Sequence, residues 1–294
     1  MHALPDPPAV QQAQAGALSA GRYRLSLARP LIMGILNVTP DSFSDGGHYL
    51  SPAAAVDRAK ALVAEGADLL DIGGESSRPG AEGVTLKEER RRVLPVLERV
   101  TGFGVPVSVD TCKPALMLEA CRAGASMIND ILGLRAPGAL EAVAATDAAV
   151  CIMHMQGEPR SMQQAPRYGD VTREVGEFLV GRAAAARRAG IGPERLVLDP
   201  GFGFGKEALH NLELLRSLDR IAALGYPVLV GLSRKSLLGR ITGKPVNERA
   251  HASVAAAMIA VANGARIVRV HEVGATRDAL LVQQAVAANG IEAQ

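Results

Sequence analysis

From residue 30 onward, short apolar runs alternate with longer segments in which apolar residues recur at helical spacing. The runs are PLIMGILN (30–37), ADLLDIGG (67–74), VPVSVDT (105–111), ASMINDI (125–131), AAVCIMHM (148–155), RLVLDPG (195–201), PVLVGLS (227–233) and ARIVRVH (265–271), eight in all. Each is nearly continuously apolar, the pattern of a strand covered on both faces. Between them, segments such as PAAAVDRAKALVAEGA (52–67) and TLKEERRRVLPVLERV (85–100) predict helices. Pro95 predicts a kink or a break in the second. The shorter segment from Lys113 to Ala123 opens on Pro114, a good first-turn residue. Ahead of the first run, Tyr23, Leu25 and Leu27 alternate with Arg22, Arg24 and Ser26, the pattern of a half-buried strand.

Strands alternating with helices define an α/β protein, either an open doubly wound sheet or a closed (β/α)8 barrel of the TIM type. Polar residues collect at the C-terminal ends of nearly all the runs: Asn37, Asp71, Asp110, Asn129, His154, Asp199, Ser233 and His271. An open sheet concentrates its ligand at one switch point, whereas a barrel converges every strand end on one mouth. The pattern therefore favours the barrel, as one domain over residues 21–294 with a short strand or hairpin before it. The preceding MHALPDPPAVQQAQAGALSA (1–20) is rich in Ala, Gln and Pro and predicts a disordered tail.

Composition narrows the picture in three ways. Nearly half of the 294 residues are hydrophobic (48%) but only 3% are aromatic, so the core must be aliphatic. A formal charge of +2 gives no general reason to expect nucleic acid or an acidic membrane as partner. Three cysteines (Cys112, Cys121, Cys151), none in a Cys-x-x-Cys pair, read as reduced thiols. No run spans a bilayer, and the N-terminus lacks the basic start and apolar stretch of a secretory leader, so the chain reads as cytoplasmic.

The chemistry lies in the loops after the strands. LIMGILN runs into VTPDSFSDGG, a polar loop with one large apolar side chain, Phe43. DIGG runs into ESSRPGA, a cluster of hydroxyls and a guanidinium. In LDPGFGFGK the glycines have the wrong spacing for a dinucleotide fingerprint, and Lys206 is followed by Glu207, unlike a phosphate loop. Those glycines instead predict close approach of backbone to a flat ligand flanked by Phe202 and Phe204. Inward-facing carboxylates can hold a metal, but they equally suit a neutral ring rich in N–H donors, because a carboxylate accepts two parallel bonds. An amino-pyrimidinone is such a ring. Any one of these Asp residues alone would be as well explained as a structural cap. GLSRKS and RVH place Ser233, Arg234, Lys235, Ser236, Arg269 and His271 on the last two loops, where barrels often bind phosphate.

Taken together, ILNVTPDSFSDGG and DIGGESSRPGA resemble the two signature loops of the dihydropteroate synthase family, pterin-binding barrels of folate biosynthesis. VSVDT, IND, MHMQGEP (153–159), LDPGFGFGK, GLSRKS and RVH are similar to its later strand ends, so the resemblance spans roughly residues 23–290. One departure is Ser77, where the family usually has Thr. The resemblance implies that 6-hydroxymethyl-7,8-dihydropterin pyrophosphate and 4-aminobenzoate are joined with release of pyrophosphate. It implies a pterin site of Asp110, Asn129, Met153, Asp199, Gly203, Lys235 and Arg269. It implies a pyrophosphate site of Asn37, Asp45, Ser77, Arg78, Arg269 and His271, with Mg2+ on Asn37. The aminobenzoate pocket would be Phe43, Ser77, Arg78, Pro79, Phe204 and Ser236. Asp110, Lys235, Arg269 and His271 would carry catalysis. A homodimer is implied as well, with the Ala-rich helix from Asn247 to Ala262 as candidate interface. A methyltransferase barrel acting on methyl-tetrahydrofolate would share the Asp/Asn set but have no need of the first two loops. A non-catalytic pterin-binding relative would be expected to lose a motif residue.

Overall fold

Alternation along each strand decides which side chains line the barrel axis and which meet the helices. The structure, a computed structural model, describes residues 16–39, 51–76, 83–158 and 161–288. Two antiparallel strands, β1 (Ala17–Ala20) and β2 (Tyr23–Ser26), come first. The parallel strands follow as β3 (Leu31–Asn37), β4 (Leu69–Gly73), β5 (Val107–Asp110), β6 (Met127–Asp130), β7 (Ala149–Met153), β8 (Leu196–Asp199), β9 (Leu229–Val230) and β10 (Ile267–Val270). Behind them lie α1 (Pro52–Ala64), α2 (Leu86–Val100), α3 (Pro114–Arg122), α4 (Ala139–Ala144) and α5 (Val171–Arg188). Two pairs, α6 (Ala208–Arg216) with α7 (Leu218–Ala222) and α8 (Ser236–Thr242) with α9 (Ala250–Ala262), precede the last helix, α10 (Val273–Ala288).

Strands β3 to β8 pair in sequence order, and β10 lies between β3 and β9. A single parallel bridge, Leu198 to Val228, with Leu198 N–H donating to the Pro227 carbonyl at 2.9 Å, closes β8 onto β9. All eight sequence runs are strands, and the closed barrel is the architecture. Helix starts are fixed by side-chain caps: Ser51 Oγ accepts from Ala54 N at 3.2 Å, and Thr85 Oγ1 accepts from Glu88 N at 3.2 Å. The break expected at Pro95 is absent, since α2 runs through it. The missing donor costs one internal bond, and Val93, Val96, Leu97 and Val100 hold the residues on both sides against the barrel.

Two apolar layers result. Outward residues such as Ile32, Leu70, Val109, Ile128, Val150, Leu198, Val230 and Val268 pack against the helices. Inward residues Leu31, Met33, Leu69, Met127, Ala149, Cys151, Val197, Leu229 and Ile267 fill the lower barrel. Leu18 and Ala20, each 1% exposed, join that inner cluster. The tail boundary at residue 20 is thereby corrected, because β1 starts at Ala17 and plugs the bottom of the barrel. Composition hid this because its apolar partners are distant in sequence. Among the described residues no helix is long and apolar enough to cross a membrane.

If the hairpin is part of the core, Leu18→Ala should lower unfolding free energy by about 2–5 kcal/mol, the range for emptying a packed leucine site. Urea unfolding followed by circular dichroism measures it, and a loss within about 0.5 kcal/mol, typical of surface changes, would show that the hairpin only rests on the barrel.

Candidate active site

The alternation that fills the lower barrel with apolar side chains continues upward into polar ones. Two residues beyond Leu69 comes Asp71, beyond Ser108 Asp110, beyond Met127 Asn129, beyond Val197 Asp199, and beyond Ile267 Arg269. Strand register sets these side by side: Asp71 lies opposite Ser108, Gly73 opposite Asp110, Asp110 opposite Asn129, and Met153 opposite Asp199. The strand-end carboxylates thus form a polar layer above an apolar floor, within which Asp71 sits one register step below Asp110.

Arg269 ties this layer together. Its Nε donates to Asp71 Oδ2 at 2.6 Å and its Nη2 to Asp110 Oδ2 at 3.2 Å. Asn129 Nδ2 donates to the same Asp71 Oδ2 at 3.2 Å. Asn129 Oδ1 and Asp71 Oδ1 are buried with no partner among the described residues. Burial works against the Arg269 charge, but Asp71 and Asp110 more than offset it and hold its pKa up. Burial pushes Asp110 up to about 8, opposed by Arg269 and reinforced by the charge of Asp71. On the opposite wall Asp199 accepts from Gly201 N at 2.7 Å, and burial raises its pKa against the pull of Lys235. Burial lowers Lys235 to about 8, with Asp199 opposing and Arg269 assisting. Lys235 Nζ donates to the Phe202 carbonyl and sits 4.4 Å from the centre of the Phe204 ring.

An apolar wall of Ile131, Met153, Met155, Met162 and Phe204 borders these charges. Phe202, 1% exposed, instead belongs to the helix-facing core, which corrects its placement beside a ligand. The glycines of LDPGFGFGK also serve another purpose than the one expected. A Cβ on Gly201 would come within 1.9 Å of the His154 carbonyl, and one on Gly205 within 2.4 Å of the Gln156 carbonyl. Their close approach is to the neighbouring loop. Gly203 alone faces a site residue, with Lys235 Cδ 3.2 Å from the Cβ it lacks. Lys206, 3% exposed, clips this loop by donating to the Gly201 and Phe204 carbonyls at 2.9 and 3.1 Å, with His154 Nδ1 at 2.9 Å. Burial and the Lys206 charge push His154 down to about 2, so this strand-end His is a neutral acceptor packed against Phe178. It is not a mouth residue.

On the last two loops Ser233 Oγ lies 2.8 Å from His271 Nδ1 and 2.9 Å from Glu272 Oε2. A hydroxyl has one proton to give. With Glu272 accepting it, His271 Nδ1 becomes the donor to Ser233. Arg234 Nε donates to Glu272 Oε1 at 2.6 Å, so that cation is already engaged. Ser236 opens α8 and is exposed. Asn37, half-buried at the end of β3, faces the same rim: a Cβ on Gly73 would meet its Oδ1 at 3.3 Å and Asp110 Oδ2 at 3.9 Å. Phe43, Asp45, Ser77, Arg78 and Pro79 lie outside the described residues. Of the residues anticipated, the structure hydrogen-bonds Arg269 to Asp110, sets Asn129 beside them through Asp71, and places Asp199, Gly203, Phe204 and Lys235 on the opposite wall of the same mouth. Sequence reasoning gave no role to Asp71 beyond its strand end, and it missed Glu272. The signal for Asp71 was available, since it occupies an inward register position.

A closed parallel barrel with a carboxylate-lined, guanidinium-bearing mouth is the architecture of enzymes that bind a polar ligand at their strand ends. The model of the family described as pterin binding enzyme matches residues 33–271. A dihydropteroate synthase of Neisseria meningitidis serogroup C is 51% identical over 275 residues, covering 92% of this chain and 97% of the relative. The structure of Xanthomonas albilineans dihydropteroate synthase with 4-aminobenzoic acid superposes with a TM-score of 0.87 at 53% identity, covering 92% of this chain and 98% of its own. That of Burkholderia cenocepacia dihydropteroate synthase complexed with 7,8-dihydropteroate gives 0.86 at 51%, covering 93% and 97%. The chain belongs to the pterin-binding enzyme family, among its dihydropteroate synthases.

The raised Asp110 has a measurable consequence. Its folded pKa of about 8 exceeds the ordinary value of 3.8, so the folded state holds a proton that the unfolded chain has already released. Stability of the ligand-free protein should therefore fall as pH rises from about 4 to about 8. Asp110→Asn should flatten that part of the curve of Tm against pH. A parent and variant whose curves run parallel would show that Asp110 titrates normally.

Proposed function

We infer that the chain is a dihydropteroate synthase, joining 6-hydroxymethyl-7,8-dihydropterin pyrophosphate to 4-aminobenzoate with release of pyrophosphate. The observation that carries this is the layer of Asp110, Asn129, Asp199, Lys235 and Arg269, inside a chain about half identical to synthases over nine-tenths of its length. The methyl-tetrahydrofolate reading has no such support. Asp110, Asp199 and Asn129 Oδ1 are acceptors, matching the N–H donors of the aminopyrimidinone edge. Met153 and Phe204 supply apolar walls for the ring, Gly203 leaves room beside Lys235, and the Arg269 guanidinium covers a ring face.

The diphosphate would lie over Asn37, Arg269 and His271, with Asp45, Ser77 and Arg78 completing its site. Phe43, Ser77, Arg78, Pro79, Phe204 and Ser236 would hold 4-aminobenzoate. The half-buried amide oxygen of Asn37 is a hard neutral donor, which fits Mg2+ held by one protein ligand and substrate oxygens. When bound there, Mg2+ would neutralise charge on the departing diphosphate. The residues do the rest. Arg269 and His271 stabilise the oxygen that takes the electron pair as the methylene C–O bond breaks. Asp110, returned to its carboxylate form by Arg269 and the N–H donors of the ring, stabilises the cation left on the pterin methylene. The aryl amine then forms the C–N bond and gives its proton to solvent. No side-chain nucleophile takes part. Burial and the nearby Asp130 and Asp110 keep Cys112 a thiol.

The enzyme would act in the cytoplasm, in keeping with three free cysteines among its described residues. A homodimer through α8, α9 and α10 is supported by exposed Ile241, Val246, Ile259, Val282 and Val286 on adjacent segments. Sedimentation giving a monomer at micromolar concentration would remove that interface.

Release of pyrophosphate that requires both substrates tests the reaction itself. Release from the pterin substrate alone at the same rate would make the protein a hydrolase. His271→Ala should weaken the pyrophosphate substrate by about 10- to 150-fold, the worth of one charge-assisted bond, and leave the bare pterin nearly unaffected. Calorimetry of both ligands decides it, and equal losses would take His271 out of the diphosphate site.

A further inference from the structure

Asp71 is the one carboxylate of the mouth that sits a layer below the rim, opposite Ile35 on one side and Ser108 on the other. It is fully buried, and one of its two oxygens, Oδ2, takes bonds from both Arg269 Nε and Asn129 Nδ2. A primary amide can offer a ring either its oxygen or its N–H groups. With Nδ2 committed to Asp71, the Asn129 oxygen remains as the acceptor, and it has no partner among the described residues. The guanidinium is held in a similar way. Its bond to Asp71 at 2.6 Å is the firm one, and the 3.2 Å bond to Asp110 is the looser. A ring donor can displace the looser bond while Asp71 keeps the guanidinium in place. Without Asp71, Arg269 would be free to turn both nitrogens onto Asp110 and occupy the acceptor that the ring needs. Stability is a poor reason for such a pair, since buried ion pairs often contribute little against apolar replacements.

We propose that Asp71 is a positioning residue for the pterin, setting the amide of Asn129 and the plane of the Arg269 guanidinium at once; this rests on the pterin reading of the mouth. Asp71 itself need not touch the ring. It works by fixing which atoms the ring meets.

Calorimetric titration with 6-hydroxymethylpterin on the parent, Asp71→Asn, Asn129→Ala and the double variant tests this. The expected result is that Asp71→Asn weakens the pterin by about tenfold at unchanged stoichiometry, as for loss of charge behind one hydrogen bond. In the double variant the two losses should fail to multiply, because one of the groups Asp71 orients is gone. An unchanged Kd with only a smaller binding-competent fraction would mean a purely structural role and overturn the proposal, as would losses that multiply. Asp71→Ser, which removes the carboxylate without burying an amide, repeats the measurement if Asp71→Asn does not fold. Failure of both to fold would assign the pair to stability and also overturn it. A parent that does not bind the pterin at all would sink the pterin reading instead, leaving the two failures distinguishable.

Discussion

The interior of a closed eight-stranded barrel has room for side chains and little else, so a charge placed there must find its partner among the side chains beside it. Here that partner is Arg269. It reaches Asp71 and Asp110 from β10 across the barrel, and Asn129 joins through Asp71. Remove the guanidinium and two carboxylates face each other with only an amide between them. The floor of Leu69, Met127, Val197 and Ile267 beneath them excludes water, which is why each charge depends so strongly on its neighbour.

Around this layer the loops are braced by buried charges of their own. Lys206 gathers the Gly201 and Phe204 carbonyls, which aims Gly203 and Phe204 at Lys235. Lys113 bonds Glu75 and the fully buried Glu89, tying the loop after β4 to α2. Arg249 donates to the Lys244, Arg234 and Lys235 carbonyls and so fixes the chain on either side of α8. Arg234 adopts φ 58 there, a left-handed conformation that a non-glycine residue keeps only when its surroundings hold it. Each brace satisfies backbone carbonyls or carboxylates in the loops and helices around the mouth.

At the mouth, burial opposes the charge of two groups that face each other across it. Burial holds the Asp110 carboxyl up to about 8 and brings the Lys235 ammonium down to about 8, each away from its charged form. A ring that brings N–H donors to the carboxylates and an oxygen to the lysine would supply what water supplies in an open site. On the pterin reading, binding of that ring would be coupled to the protonation of both groups, which burial shifts most and neighbouring charges adjust.

The sequence by itself determined the eight strands, their order and the side on which chemistry sits, because those follow from local patterns: apolar runs, helical spacing and polar residues at strand ends. It also marked Asp110, Asn129, Asp199, Lys235 and Arg269, since each occupies a strand end or a recognisable loop. Tertiary structure alone decided what these residues do to one another. His154 and Asp199 look alike at their strand ends, yet one faces α5 and Lys206 while the other lines the mouth. Gly201 and Gly205 read as room for a ligand, but the space they leave is taken by carbonyls of the next loop. The plug at Leu18 and the hold of Asp71 on Arg269 were equally out of reach. Their partners lie across the barrel, 198 residues away in the second case. Contacts of that separation depend on barrel closure and register, which no local stretch of the chain encodes.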